Sequence, residues 1–114
     1  MFADAVDALE RSVRYVVSQY ASELRQVSVG AVPLLKLFGI VAGGWQLLRS
    51  AAIASERLAG TGDGPLPADF YRAKIDTARF YAHHVLSQAP GLAHAIVHGA
   101  EGALAEGVLA EGVR

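Results

Sequence analysis

The segment LLKLFGIVAGGWQLLRSAAIASERL, Leu34 to Leu58, constrains the fold of this chain more than any other. Its apolar side chains run nearly all the way round a helical projection, the pattern of a helix covered on most of its sides. Gly39, Gly43 and Gly44 each cost up to about 1 kcal/mol of helix propensity against alanine. Their compensation is close approach by another backbone. Gly39 and Gly43 form a small-xxx-small pair, a helix-packing device applied here by analogy with membrane helices. Pro33 suits a first helical turn. The spacing therefore predicts a central helix, buried on most sides, within a bundle.

Around it the pattern stays helical. Phe2, Val6, Leu9, Val13, Val16, Val17, Tyr20 and Leu24 recur at spacings of mostly three and four, one helical face. No glycine or proline interrupts residues 1–29, so one amphipathic helix is expected there. Asp7 and Arg11, and Glu10 and Arg14, are acid-before-base pairs on its polar face. Residues 60–67, GTGDGPLP, read as a loop and hinge. A third helix opens at Pro67 or Ala68 and points Tyr71, Ile75, Ala78, Ala82, Val85 and Ala89 inward. Pro90-Gly91 is expected to kink or end it, because an interior proline removes a helical hydrogen bond. Leu92 to Val97 then form a short fourth helix. After Gly99 the chain repeats AEGAL, AEGVL, AEGVR, a five-residue period that fits neither helix nor strand. No sustained alternation marks a strand. The expected fold is all-α: an antiparallel helical bundle of three long helices plus a short fourth over residues 1–99, with residues 100–114 a glycine-rich, fraying tail.

Composition narrows the function. Of 114 residues, 53% are hydrophobic and only 18% charged, against about 25% charged in average domains. A small domain so composed has more apolar surface than its interior can hide, and some of it is expected to meet a partner. The ten basic residues are interleaved with eleven acids for a net charge of −1, which argues against nucleic acid. There is no cysteine, excluding disulfides and thiolate metal sites. The acidic N-terminus is unlike a signal peptide. The most apolar stretch, Leu37 to Trp45, is shorter than the roughly 20 residues of a membrane span, so a cytoplasmic chain with no span is expected.

Catalytic constellations are sparse. His94 and His98, one turn apart with Glu101 beyond, have a spacing that suits zinc; surface histidines are the expectation, and no metal site is assigned. Of adjacent His83 and His84, one is expected to face the bundle and the other the solvent. The serines lack a nucleophile elbow, and the glycines of Gly39 to Gly44 lie inside a helical pattern instead of a phosphate loop. Arg49, Arg72, Lys74 and Arg79, interleaved with Asp69 and Asp76, read as a salt-bridged seam. Trp45 stands out as an anchor of core or interface.

LLKLFGIVAGGWQLLRSAAIA followed by FYRAKIDTARFYAHHVLSQAPGL resembles the C-terminal helical domain of certain acyl-CoA dehydrogenases, the acetyl-CoA dehydrogenase C-terminal-like domain. Phe38-Gly39, Gly44-Trp45, Phe70-Tyr71, Lys74, Ala78-Arg79-Phe80 and Leu86 to Pro90 carry the likeness, over Val32 to Val97. The resemblance implies a helical appendage that packs on a flavin-binding core or on neighbouring subunits of a homo-oligomer. The parent would oxidise acyl-CoA thioesters of fatty acid metabolism with FAD held by its core. No residue of this chain inherits a catalytic or cofactor-binding role. The candidate interface residues are Gly39, Gly43, Gly44, Trp45, Phe70 and Tyr71. Because the chain opens just before its first helix, an excised domain or truncated copy is expected. The alternatives are a free-standing helical adaptor and a small enzyme or metal protein using His94 and His98.

Overall fold

In the computed structural model, residues 1–60 and 66–103 are described, and among them every regular element is helical. The order is α1 (Phe2–Gln19), α2 (Leu24–Val29), α3 (Ala31–Ala59), α4 (Ala68–His84), a short 3₁₀ turn (Leu86–Gln88), α5 (Ala89–His98) and α6 (Ala100–Ala103).

Helix α3 is the spine. Its 29 residues extend about 43 Å at 1.5 Å per residue. Helix α4 runs antiparallel along it: Tyr71 lies beside Ala54, and ten residues on the Tyr81 hydroxyl donates a 2.6 Å hydrogen bond to the Ile40 carbonyl. Helix α5 continues in series, reaching Ile96 beside Gly30. Helix α1 packs on α5 and on α3. The core gathers where these meet: Ala5 and Ala8 of α1, Leu37, Ile40 and Val41 of α3, Leu86, and Ala89, Ala93 and Ile96 of α5. Beyond Gly44, only Ala54 of α3 is buried. The molecule is consequently long and thin, 67 × 31 × 17 Å, with a radius of gyration of 19.6 Å. A compact chain of this length would measure about 13 Å.

An added Cβ would be crowded at Gly30, Gly43, Gly44 and Gly99. At Gly30, between α2 and α3, a Cβ would lie 3.2 Å from the Ile96 carbonyl oxygen. At Gly43 a Cβ would lie 2.8 Å from the Tyr81 hydroxyl.

Several expectations are corrected. The first helix does not continue to residue 29. It ends at Gln19, and α2 begins at Leu24 after a turn. Val16, Val17 and Ser18 weaken the helix there: the valines lose rotamer freedom, and the serine hydroxyl bonds back to the Tyr15 carbonyl at 2.8 Å. The inward face of α1 is also rotated from the most apolar one. Ala5, Ala8 and Ser12 are buried, while Val6, Val13, Val17 and Tyr20 are exposed. Small residues win because they let α1 approach Ala89 and Ala93 of α5 closely. Ser12 accepts burial by donating to the Ala8 carbonyl at 2.8 Å.

The break after α4 falls at Val85, five residues before Pro90, and the proline instead occupies the first turn of α5, where its missing N–H costs nothing. Helix α3 is central but not buried on most sides: Val32, Leu35, Phe38, Trp45, Leu48 and Ile53 are exposed. The expected tail begins with α6, whose Ala100 is buried and which contacts α2. The rest of it, residues 104–114, and the loop centre, residues 61–65, lie outside the described residues.

Candidate functional site

The candidate residues divide between the two sides of α3. Gly43 and Gly44 face inward, against Tyr81 and Leu86. Tyr71 is buried between α4 and the far end of α3, its ring edge-on to Phe70 at 5.7 Å and 81°. Gly39, Trp45 and Phe70 face outward. A Cβ on Gly39 would meet nothing within 4 Å, and Trp45 is 50% exposed. The 3.6-residue period explains the division. Leu37, Ile40, Val41 and Gly44 fall on one face, whereas Leu35, Phe38, Ala42, Trp45 and Ile53 fall on the opposite one. A single uniformly apolar sequence thus supplies both a core face and an outer strip.

Charge borders that strip and enters it at Arg49, four residues after Trp45 on the same face. Arg49 lies over the Trp45 ring at 5.8 Å, and Lys74 over Phe70 at 5.3 Å. The expected seam between helices does not form. Arg72 pairs with Asp69 at 3.2 Å and Arg79 with Asp76 at 3.9 Å, each within α4. All four side chains are well exposed, so these pairs add little stability. On α1, Arg14 closes on Glu10 at 2.6 Å. Between Ser50, Ile53 and Ala54 of α3 and Phe70, Tyr71 and Lys74 of α4 lies a shallow, mostly apolar groove of about 190 Å³.

The adjacent histidines are placed differently from expectation. Both His83 and His84 are exposed, because α4 meets α3 through Tyr71, Tyr81 and its small residues, and His84 stacks on Phe80 at 4.1 Å. His94 and His98 have ring centroids 4.8 Å apart, and His98 Nδ1 lies 3.1 Å from Glu101 Oε1. Among the described residues, no three histidine, aspartate or glutamate side chains gather as a metal-ligand set. Burial pushes the Tyr81 phenol above its ordinary value of 10.0. Its proton is held in the bond to Ile40, which makes it a packing group.

A glycine-rich phosphate cradle needs backbone N–H groups free of helix bonding. Gly39, Gly43 and Gly44 lie within the continuous helix α3, their N–H groups committed to the ladder.

The sequence reading missed a second exposed strip, Val6, Val13, Val17 and Tyr20 on α1. The signal was present: Ala5, Ala8 and Ser12 already offered a face of small residues, the alternative for close packing.

Helix α3 is long and apolar enough to cross a membrane, with a mean hydropathy of 1.5 over its best 18-residue window. Length and composition do not separate a span from the core helix of an assembly, and the inner face of α3 packs on α1, α4 and α5.

The profile described as "Acetyl-CoA dehydrogenase C-terminal like" matches residues 1–106. The chain is also 37% identical, over 84 residues, to the 3-methylmercaptopropionyl-CoA dehydrogenase of Ruegeria pomeroyi (strain ATCC 700808 / DSM 15171 / DSS-3). That alignment covers 74% of this chain but only 14% of the relative, so the chain spans about a seventh of the curated protein it matches. No solved structure matches it significantly. With the family match running over nearly the whole chain, the protein belongs to the acetyl-CoA dehydrogenase C-terminal-like family.

Proposed function

We propose that this chain is a structural and assembly domain of an acyl-CoA dehydrogenase-like, FAD-dependent oxidoreductase and supplies no catalytic group itself. The observation that carries the reading is the pair of exposed apolar strips, on α1 and on α3. A 114-residue chain that leaves Val17, Leu35, Phe38 and Trp45 open to water is built to be covered. Family membership supports a dehydrogenase as the class of assembly. The dehydrogenase core and neighbouring subunits are the partners, Gly39, Trp45 and Phe70 the outward-facing interface residues, and Gly43, Gly44 and Tyr71 the inner support that sets their positions.

In this reading the core holds FAD, the acyl-CoA pocket and the base that removes the α proton. The complete enzyme oxidises the bond between the α and β carbons of an acyl thioester of fatty acid metabolism, in the cytoplasm. The helical domain adds rigid surface that fixes how cores or subunits sit together.

The test is capture of the native protein from its source cell with an antibody against this domain. The eluate should show flavin absorbance and reduce an electron acceptor when acyl-CoA is added. An eluate free of flavin overturns the reading.

A further inference from the structure

We propose that the outer strip of α3 docks on the same strip of a second copy of this chain, antiparallel, about a two-fold axis at Ala42. The proposal rests on the assembly reading and names the partner of one of its two surfaces.

The strip is self-complementary, which an isologous two-fold contact requires. Ala42 is its midpoint. Phe38 precedes it by four residues and Trp45 follows by three, while Val32 precedes by ten and Ile53 follows by eleven. At 3.6 residues per turn, Phe38 and Trp45 lean to the same side of Ala42, by about 40° and 60°. Val32, Gly39, Gln46 and Ile53 lean to the other side. A two-fold axis in the contact plane, perpendicular to the helices, preserves side and reverses order. It therefore places Phe38 against the partner copy's Trp45, and Val32 against its Ile53. Gln46 faces the open space at Gly39, where a Cβ would meet nothing. Ala42, on the axis, is small enough to let the helices close to the 8–10 Å typical of packed pairs.

Charge permits this arrangement. Residues 37–48 carry none. Arg49, seven residues past Ala42 on the same face, lies opposite the partner copy's Leu35 and about 21 Å along the helix from its own counterpart, so the axis brings no like charges together. The area is also sufficient. An aromatic side chain presents roughly 150–250 Å². Phe38 and Trp45, at 59% and 50% exposure, therefore offer about 100 Å² each. With Val32, Leu35 and Ile53, exposed by 78%, 74% and 47%, the strip supplies on the order of 500 Å² per copy. If all of it is covered, two copies bury on the order of 1,000 Å², the lower bound for a specific interface. The α1 strip stays free for the dehydrogenase core.

The test uses the full chain in sedimentation velocity. A species of twice 12.0 kDa is expected, with Ala42→Glu weakening association at least 100-fold while far-ultraviolet circular dichroism stays helical. Because the chain has no cysteine, single introduced cysteines report the register under mild oxidation even if Ala42→Glu fails to fold. Ala42→Cys should cross-link to itself. Val32→Cys should cross-link to Ile53→Cys in a mixture, and Ile53→Cys alone should not. A chain that stays at 12.0 kDa up to high micromolar concentration overturns the proposal, as does Ile53→Cys self-linking as efficiently as Ala42→Cys. If such a monomer still comes from cells with a flavin dehydrogenase, the dimer is wrong and the assembly reading stands. A dimer recovered from cells without flavin supports the two-fold contact and overturns the assembly reading.

Discussion

At the scale of single residues, neighbours in sequence have opposite duties. Leu37 is fully buried and Phe38 is 59% exposed, although both are large and apolar. Leu37→Ala should cost about 2–5 kcal/mol, the transfer free energy plus the cavity it leaves. Phe38→Ser, in dilute monomeric protein, should change stability by no more than about 0.5 kcal/mol. Urea unfolding of the two variants decides between them. Tyr81 gives a second residue-scale test. Its hydroxyl is bonded to Ile40 at 2.6 Å, so Tyr81→Phe should lose about 0.5–1.5 kcal/mol at neutral pH. Burial raises the phenol above 10.0 in the folded chain. As pH climbs past about 10, the unfolded chain therefore releases this proton while the folded chain keeps it. The stabilisation is fully present below that pH and falls above it. The wild type should lose stability there more steeply than Tyr81→Phe, and equal slopes in urea melts across that range would remove the effect.

At the scale of elements, the helical class and the spine were legible because three-and-four spacing and the absence of alternation leave no other period. What stayed hidden was which face each helix turns inward. On α1 hydrophobicity points to Val6, Val13 and Val17, yet packing uses Ala5, Ala8 and Ser12. In a self-sufficient globule the most apolar face is the core face. Here a smaller face allows closer helix contact, Phe2, Leu9 and Val16 pack at its edge, and Val6, Val13 and Val17 stay outside. Pro90 misled in a related way: one residue type can end a helix or begin the next, and only the 3₁₀ turn at Leu86–Gln88 shows which. Of the candidate site, Trp45 could be picked from sequence as unusual. Nothing local distinguished Gly43 and Gly44, which serve inner packing, from Gly39, which does not. The α1 strip makes its own prediction. Val13→Asp with Val17→Asp should leave the helical spectrum and unfolding midpoint of this chain nearly unchanged, while clearly lowering the thermal midpoint of the native flavoenzyme. An unchanged enzyme midpoint would take α1 out of the interface.

At the scale of the molecule, shape and composition agree. A long, 17 Å thin slab built on one 29-residue helix cannot enclose all the apolar surface of a chain that is 53% hydrophobic. Its core lies where α1, α3 and α5 meet, and the remainder of α3 projects with α4 alone beside it. Such a body gains from being covered, and family membership points to a dehydrogenase as the larger assembly. What the native protein is part of is therefore the central question. The most direct measurement is its mass on a non-denaturing gel of source-cell extract, probed with an antibody against this domain. An assembly domain should run in a band far larger than two 12.0 kDa chains, coincident with flavin and acyl-CoA dehydrogenase staining. A band at the mass of the free chain, away from that staining, would contradict the assembly role.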